Sequence, residues 1–431
     1  MNEIKSGDTA WILVSTALVM LMTAPGLALF YGGLVRKKNF LSTLMHSFFL
    51  LCLISVQWVV CGYTLAFGGD HGGILGGVEH AFFAGVGPEA APGTNIPHLA
   101  FALYQCMFAV ITVALISGAY AERMSFGAYV AFSALWSTLV YDPLAHWVWG
   151  GGFLQKLGAL DFAGGTVVHV SSGTAALVVA LVLGKRTSGL KTVPHNLGYT
   201  VLGAGLLWFG WFGFNAGSAL AANGIAAVAF ATTHMAAAAG GLSWAAIEAA
   251  HRGKAGVLGA VTGALAGLVA ITPAAGYVAV PAALAIGAGA SVVCYLGVNV
   301  LKERLGYDDA LDVFGVHGIG GAFGALATGV FATLDVNPQG ANGLIAGNPG
   351  LVVRQLVGVL AAAALSASGT FLILKVVAAV ASVRVSEREE ALGLDLSIHG
   401  EAAYSLSDEG SPAEPEAVPV MAQAAGERQA A

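Results

Sequence analysis

About eleven runs of roughly 20 apolar residues divide this 431-residue chain, and no other feature restricts its fold so tightly. A helix of about that length crosses roughly 30 Å of hydrocarbon. The runs lie near 10–32, 42–67, 99–120, 126–147, 162–183, 197–217, 224–249, 257–277, 281–300, 313–333 and 350–381. A water-soluble alternative fails on composition. Only 10% of the residues are charged and 57% are hydrophobic, whereas a soluble surface calls for about 25 to 35% charged side chains. In lipid every backbone group must be satisfied within its own segment, so the expected class is an all-α integral membrane protein. The first run exceeds a signal-peptide core and follows a polar decapeptide, which predicts a retained span rather than a cleaved leader.

Lys and Arg fall in alternate loops. One set holds Arg36, Lys37, Lys38, Arg123, Lys185, Arg186, Lys191, Arg252, Lys254, Lys302, Arg304, Arg384 and Arg388, and the other little beyond Lys5 and Lys156. Basic loops stay cytoplasmic, which predicts an N-out, C-in topology. The segment 68–98 carries Asp70, Glu79 and Glu89 without a basic residue and reads as an external loop. Three regions follow: a membrane domain 1–383, a cytoplasmic segment 384–404, and a tail 405–431 too poor in apolar residues to fold. Spans one to five and six to ten read as an inverted repeat with an eleventh span added. DFAGGTVVH opens the fifth span and DVFGVHG the tenth, each an Asp followed by a His beside glycine.

A net charge of −6 with scattered basic residues leaves no footprint for nucleic acid. Cys52, Cys61, Cys106 and Cys294 sit singly in apolar runs, a pattern that fits neither zinc, redox pairs nor disulfides. No metal or cofactor is expected. A membrane enzyme using His169 and His317 as metal ligands would lack carboxylate or thiol partners close enough to complete the site.

Ionisable groups inside spans are costly and so mark candidate function. His169 lies eight residues beyond Asp161, about 12 Å along a helix, which brings it near the midplane. His317 lies at a comparable, shallower depth. Each is either a core imidazole bonded to a neighbouring helix or a pore residue. Asp161 precedes Phe-Ala-Gly-Gly-Thr and reads as a helix cap, as a source of negative potential near the outer surface, or as both. Asp308, Asp309 and Asp312 read as capping or solvated, and Asp142 and Glu248 as span-end residues without a role. Trp149, Phe108, Trp211, Phe212 and Phe214 are either interfacial and packing aromatics or a cation site, since an indole face attracts ammonium.

ALFYGGLVRKKN, FAVITVALISGAYAER, HWVWGGGFLQKLGALDFAGGTVVH, GWFGFNAGS, TPAAGYV, DVFGVHGIGG and GLDLSIHGEAAY occur in this order. Together they resemble the successive signatures of the Amt branch of the Amt/Mep/Rh ammonium transporter superfamily, prokaryotic type, over residues 8–404. The resemblance implies eleven transmembrane helices, a homotrimer in the cell (inner) membrane, a pore through each subunit, and selective uptake of ammonium, with methylammonium as a related substrate. It assigns an outer recruitment site to Phe108, Trp149 and Ser218 with Asp161 as support, and a gate to Phe108 and Phe214. The pore histidines fall on His169 and His317, and Gln105, Trp211 and Thr272 match other vestibule or pore positions. Deprotonation near the gate and passage of ammonia through a hydrophobic, His-lined pore are the implied mechanism. A PII-type nitrogen signalling protein is the implied partner at the cytoplasmic face. Two alternatives stay open: an ammonium sensor with little flux, which usually carries a fused signalling domain that 27 residues past Tyr404 cannot form, and an Rh-like gas channel, which generally lacks the Trp and Ser of the recruitment site.

Overall fold

The computed structural model describes residues 3–187, 189 and 193–404, so Lys191 and the expected tail 405–431 lie outside the described residues. Among the described residues no β-strand forms, and eleven helical stretches follow the eleven apolar runs. They are α1 (Ser6–Leu34), α2 (Lys37–Phe67), α3 (His98–Tyr120), α4 (126–149), α5 (Gly165–Leu183), α6 (Leu197–Gly217), α7 (Gly224–Arg252), α8 (Val257–Ile271), α9 (Val280–Leu305), α10 (Phe314–Phe331) and α11 (Gly350–Val380). Nine of them are long and apolar enough to cross a membrane. The other two are α8, which is short, and α4, which contains a π-helical turn at Ser137–Tyr141 and the polar residues around it. The all-helical membrane class is thereby established.

Helix α1 breaks at Ala24 (φ −138°, ψ 114°), where the following Pro25 crowds an α conformation. Helix α3 is the central post, packed against α1, α2 and α5 and buried along most of its length. Small residues set how closely the others approach. A Cβ on Gly173 would meet the Gly318 backbone at 2.1 Å, and one on Gly321 would meet His169 Cβ at 2.8 Å and the Gly165 carbonyl at 2.9 Å. As position rises along α5 it falls along α10, so the two helices cross antiparallel in backbone contact, which a larger side chain would prevent.

The end of the molecule that carries the basic loops is tied by buried charge. Glu122 accepts from Arg36 Nε (3.1 Å), Arg186 Nη1 (3.2 Å) and Asn39 Nδ2 (2.9 Å). Asp308 accepts from Arg186 Nε (3.0 Å), Nη2 (2.8 Å) and backbone N–H (2.8 Å). Arg123 Nη1 lies 2.9 Å from Asp308 Oδ2 as a charge contact outside hydrogen-bond alignment, while its Nη2 donates to the Ala119 and Asp308 carbonyls. Burial would raise the Asp308 and Glu122 carboxyls, yet the guanidinium bonds and charges hold both below the usual carboxylate range. Asp309 is buried as well, with its Oδ2 accepting from the Phe314 N–H at 2.7 Å. Capping is therefore right for Asp309, but solvation is wrong for both it and Asp308, because the loop 306–313 folds inward onto the Arg side chains.

The segment 384–404 lies across these loops. A short helix α12 (Glu387–Leu392) starts with a capping box from Ser386 and Glu389. Glu390 accepts from the Thr187 N–H (2.7 Å) and from Arg384 Nη2 (2.8 Å). Asp395 then accepts from the Leu41 and Ser42 N–H groups (3.0 and 2.8 Å) in the first turns of α2, and Leu394 N–H donates to Asn39 Oδ1 (2.8 Å).

Candidate functional site: stacked rings and paired histidines within the helix bundle

A cavity of about 320 Å³ opens beside Phe108, Trp149, Ser218 and Gln105, closed in by Phe101 and Phe162. Trp149 ends α4, and its indole N–H donates to the Asp161 carbonyl at 2.9 Å, which fixes the ring. Its plane meets Phe108 edge-on, at 85° with centroids 5.9 Å apart. Ser218 caps the end of α6 and donates to the Phe214 carbonyl (2.9 Å), leaving its oxygen as an acceptor. Tyr104 OH lies 3.2 Å from that oxygen and 2.9 Å from the Gly213 and Phe214 carbonyls. A buried tyrosine in an apolar helix gives no sequence signal of this support.

Phe108 and Phe214 form the floor. Their rings stack at 26° with centroids 4.3 Å apart, and both are buried. Beneath them lies a space of only about 20 Å³, bounded by Phe214, Trp211, His169, His317, Val168 and Ile111. That is room for roughly one water-sized molecule. His169 sits on the π-helical turn Gly165–Val170 and His317 on the π-helical turn Phe314–Gly318, a local form often found at functional sites. Their Nδ1 atoms are 3.2 Å apart. Two neutral imidazoles place one hydrogen between them, and His169 Nε2 has no protein partner. Trp211 stacks on His169 at 27° and donates to Thr272 Oγ1 (2.9 Å), whose own hydroxyl donates to the Leu268 carbonyl. Thr272 thus acts behind the wall.

His317 also borders a cavity of about 410 Å³ on the far side, with Tyr31, Lys302 and Asp312. Outer cavity, stacked rings, narrow space and inner cavity therefore follow one another through the same helices.

Asp161 stands apart from the outer cavity's lining. Its Oδ1 accepts from the Gly164 and Gly165 N–H groups (2.8 and 2.6 Å), and its Oδ2 from the Thr166 N–H (2.8 Å), the Thr166 hydroxyl and the Val167 N–H (3.2 Å). Burial pushes this carboxyl up against the pull of those bonds. It reaches the cavity through its carbonyl on Trp149 and through the π turn that carries His169. Phe212 lies away from the path, stacked on Phe230. Among the described residues no group of three or more His, Cys, Asp and Glu could hold a metal ion, and the four cysteines are unbridged.

The family model described as Ammonium Transporter Family matches residues 10–404. The ammonium transporter of Bacillus subtilis is 54% identical over 402 residues, covering 93% of this chain and 99% of the relative. Among solved structures, Mep2 of Candida albicans superposes with a TM-score of 0.85 at 37% identity, covering 90% of this chain and 88% of that one. A sensor Amt protein superposes with a TM-score of 0.85 at 28% identity, covering 91% and 98%. With a family match along nearly the whole chain and a relative sharing more than half its residues, this multi-pass membrane protein belongs to the Ammonium Transporter Family.

Proposed function

We propose that the protein takes up ammonium across the cell membrane, recruiting the cation in the outer cavity, stripping a proton near the stacked phenylalanines and passing ammonia along the histidine pair. The observation that carries this reading is the change in volume across the Phe108–Phe214 stack, from about 320 Å³ to about 20 Å³. A hydrated ion fits the first space and not the second. Trp149 and Phe108 offer ring faces to the charge, and the Ser218 oxygen accepts an N–H, which potassium cannot offer. Desolvation at the stack disfavours the charged form and so favours release of the proton. Beyond it, a neutral molecule faces apolar walls and one polar track, His169 and His317.

The decisive experiment is simultaneous measurement of ammonium-dependent current and uptake in liposomes containing the purified protein. Saturable uptake that survives excess potassium is expected. High-affinity binding without uptake would favour the sensor reading, which the likeness to the sensor Amt protein keeps in view. Uptake that Trp149→Ala leaves unsaturable and unchanged would favour a gas channel.

The same reading includes a homotrimer with one path per subunit, N-termini outside, and an inverted repeat whose fifth and tenth spans meet at the histidines. It also includes docking of a PII-type signalling protein, because the segment 384–404 lies over the inner loops beside the pore mouth. Nucleotide-sensitive capture of that protein, with and without ATP and 2-oxoglutarate, is the expected result. No capture in any nucleotide state removes the partner.

A further inference from the structure

Asp142 is fully buried in α4, two turns before Trp149, and belongs to no part of the path described above. Its Oδ2 accepts from Gln57 Nε2 at 2.7 Å, while its Oδ1 is buried without a partner. Gln57 Nε2 also lies 3.1 Å from Thr138 Oγ1, and Gln57 Oε1 accepts from Ser137 Oγ at 3.3 Å. Among the described residues no Lys, Arg or His pairs with this carboxyl. The titratable groups around it are Cys61, Cys106 and Tyr141, and none is a cation. His146, one turn further along the same helix, is occupied by the Ala66 carbonyl and Asp70.

Both backbones are distorted at this place. Residues Trp58–Gly62 form a π-helical turn that begins directly after Gln57, and Ser137–Tyr141 form one that ends directly before Asp142. The two turns touch. The same local form carries each pore histidine, and elsewhere in proteins it recurs at functional sites.

A carboxylate buried here with one neutral donor and no cation would bear most of its desolvation cost. A neutral acid avoids that cost and gains an O–H donor. Gln57 donates to Oδ2, so that oxygen acts as the acceptor and the proton sits on Oδ1, the atom that faces no protein acceptor. We propose that Asp142, Gln57 and Thr138 form a proton-binding site in the membrane domain, apart from the histidine pair, in which the neutral Asp142 acid donates from Oδ1 to a bound water. Gln57 and Thr138 are only half-buried, at the edge of the α2–α4 contact.

Infrared difference spectroscopy of the wild type against Asp142→Asn in lipid vesicles tests the site directly. The expected result at neutral pH is the carbonyl stretch of a protonated carboxyl in the wild type, lost in the variant and moved by exchange into heavy water. Gln57→Leu provides a check that keeps the acid itself: the band should shift in frequency because Oδ2 loses its donor, and should persist. A carboxylate stretch at neutral pH in place of the acid band would overturn the proposal. An acid band unmoved by heavy water would overturn the bound water.

Discussion

At the scale of single residues, Asp161 and the two histidines separate structural from transport duties. Asp161 satisfies four backbone N–H groups at the start of the π turn that presents His169. Removing a cap of this kind costs roughly 0.5 to 2 kcal/mol. Asp161→Ala is therefore expected to lower the thermal midpoint and abolish uptake, whereas Asp161→Asn keeps an acceptor and loses the charge. An Asn variant that transports at the wild-type rate would leave capping as the sole role. For the histidines, the 3.2 Å Nδ1 contact between neutral rings is, on the proposed reading, a polar track for ammonia with no fixed charge. His169→Asp and His317→Glu place a carboxylate there, which tolerates a bare cation. Both variants are expected to conduct while losing discrimination against potassium in liposome currents. Unchanged selectivity in well-folded variants would return the pair to a packing role.

Among the elements, the segment 384–404 has the clearest testable behaviour. It is short and holds to the helix bundle through a few buried bonds, of which the Asp395 pair to the Leu41 and Ser42 N–H groups is an N-terminal cap supplied from a distant part of the chain. Asp395→Ala removes that cap at a cost of about 1 kcal/mol. Faster cleavage of residues 384–404 in limited proteolysis is expected, with the helical content of the bundle unchanged. Equal cleavage rates in variant and wild type would mean that the Glu390 and Leu394 contacts suffice to hold the segment.

For the molecule as a whole, the buried charge network makes stability depend on pH in two opposing steps. Burial pushes the Asp309 carboxyl up to about 6. Its folded state binds a proton more tightly than the unfolded chain, so the destabilisation it causes above that value is relieved as pH falls towards about 4. Asp308 and Glu122 are held low by their arginines. Their contribution is complete above about pH 4 and is lost as pH falls through their depressed values. Asp309→Asn keeps an acceptor and removes the charge, so the thermal midpoint of the wild type in detergent is expected to gain on that of the variant as pH falls from about 6 to about 4. Below about 4 both proteins are expected to lose the Asp308 and Glu122 contribution together. A difference between the two midpoints that stays constant across this range would contradict the assignment of Asp309.

Apolar run length alone determines the number and type of elements here, because a lipid-embedded backbone has only the helix or the closed barrel available, and runs of about 20 residues suit the helix. The spacing of His169 from Asp161 likewise places one histidine near the midplane and leaves His317 shallower, without showing that the two rings meet. What tertiary structure decided is who meets whom. Phe108 and Phe214 stack where Tyr104, an ordinary aromatic by pattern, bonds α3 to the end of α6. Asp308 reads as solvated in sequence, since nothing in a loop of acidic residues reveals that arginines from two other loops will enclose it. Asp142 reads as a span end, because a Pro follows it and the Gln57 amide that meets it is 85 positions away. Hydropathy is local and additive along the chain. Partnership between buried polar groups is neither, and it exists only once the helices have packed.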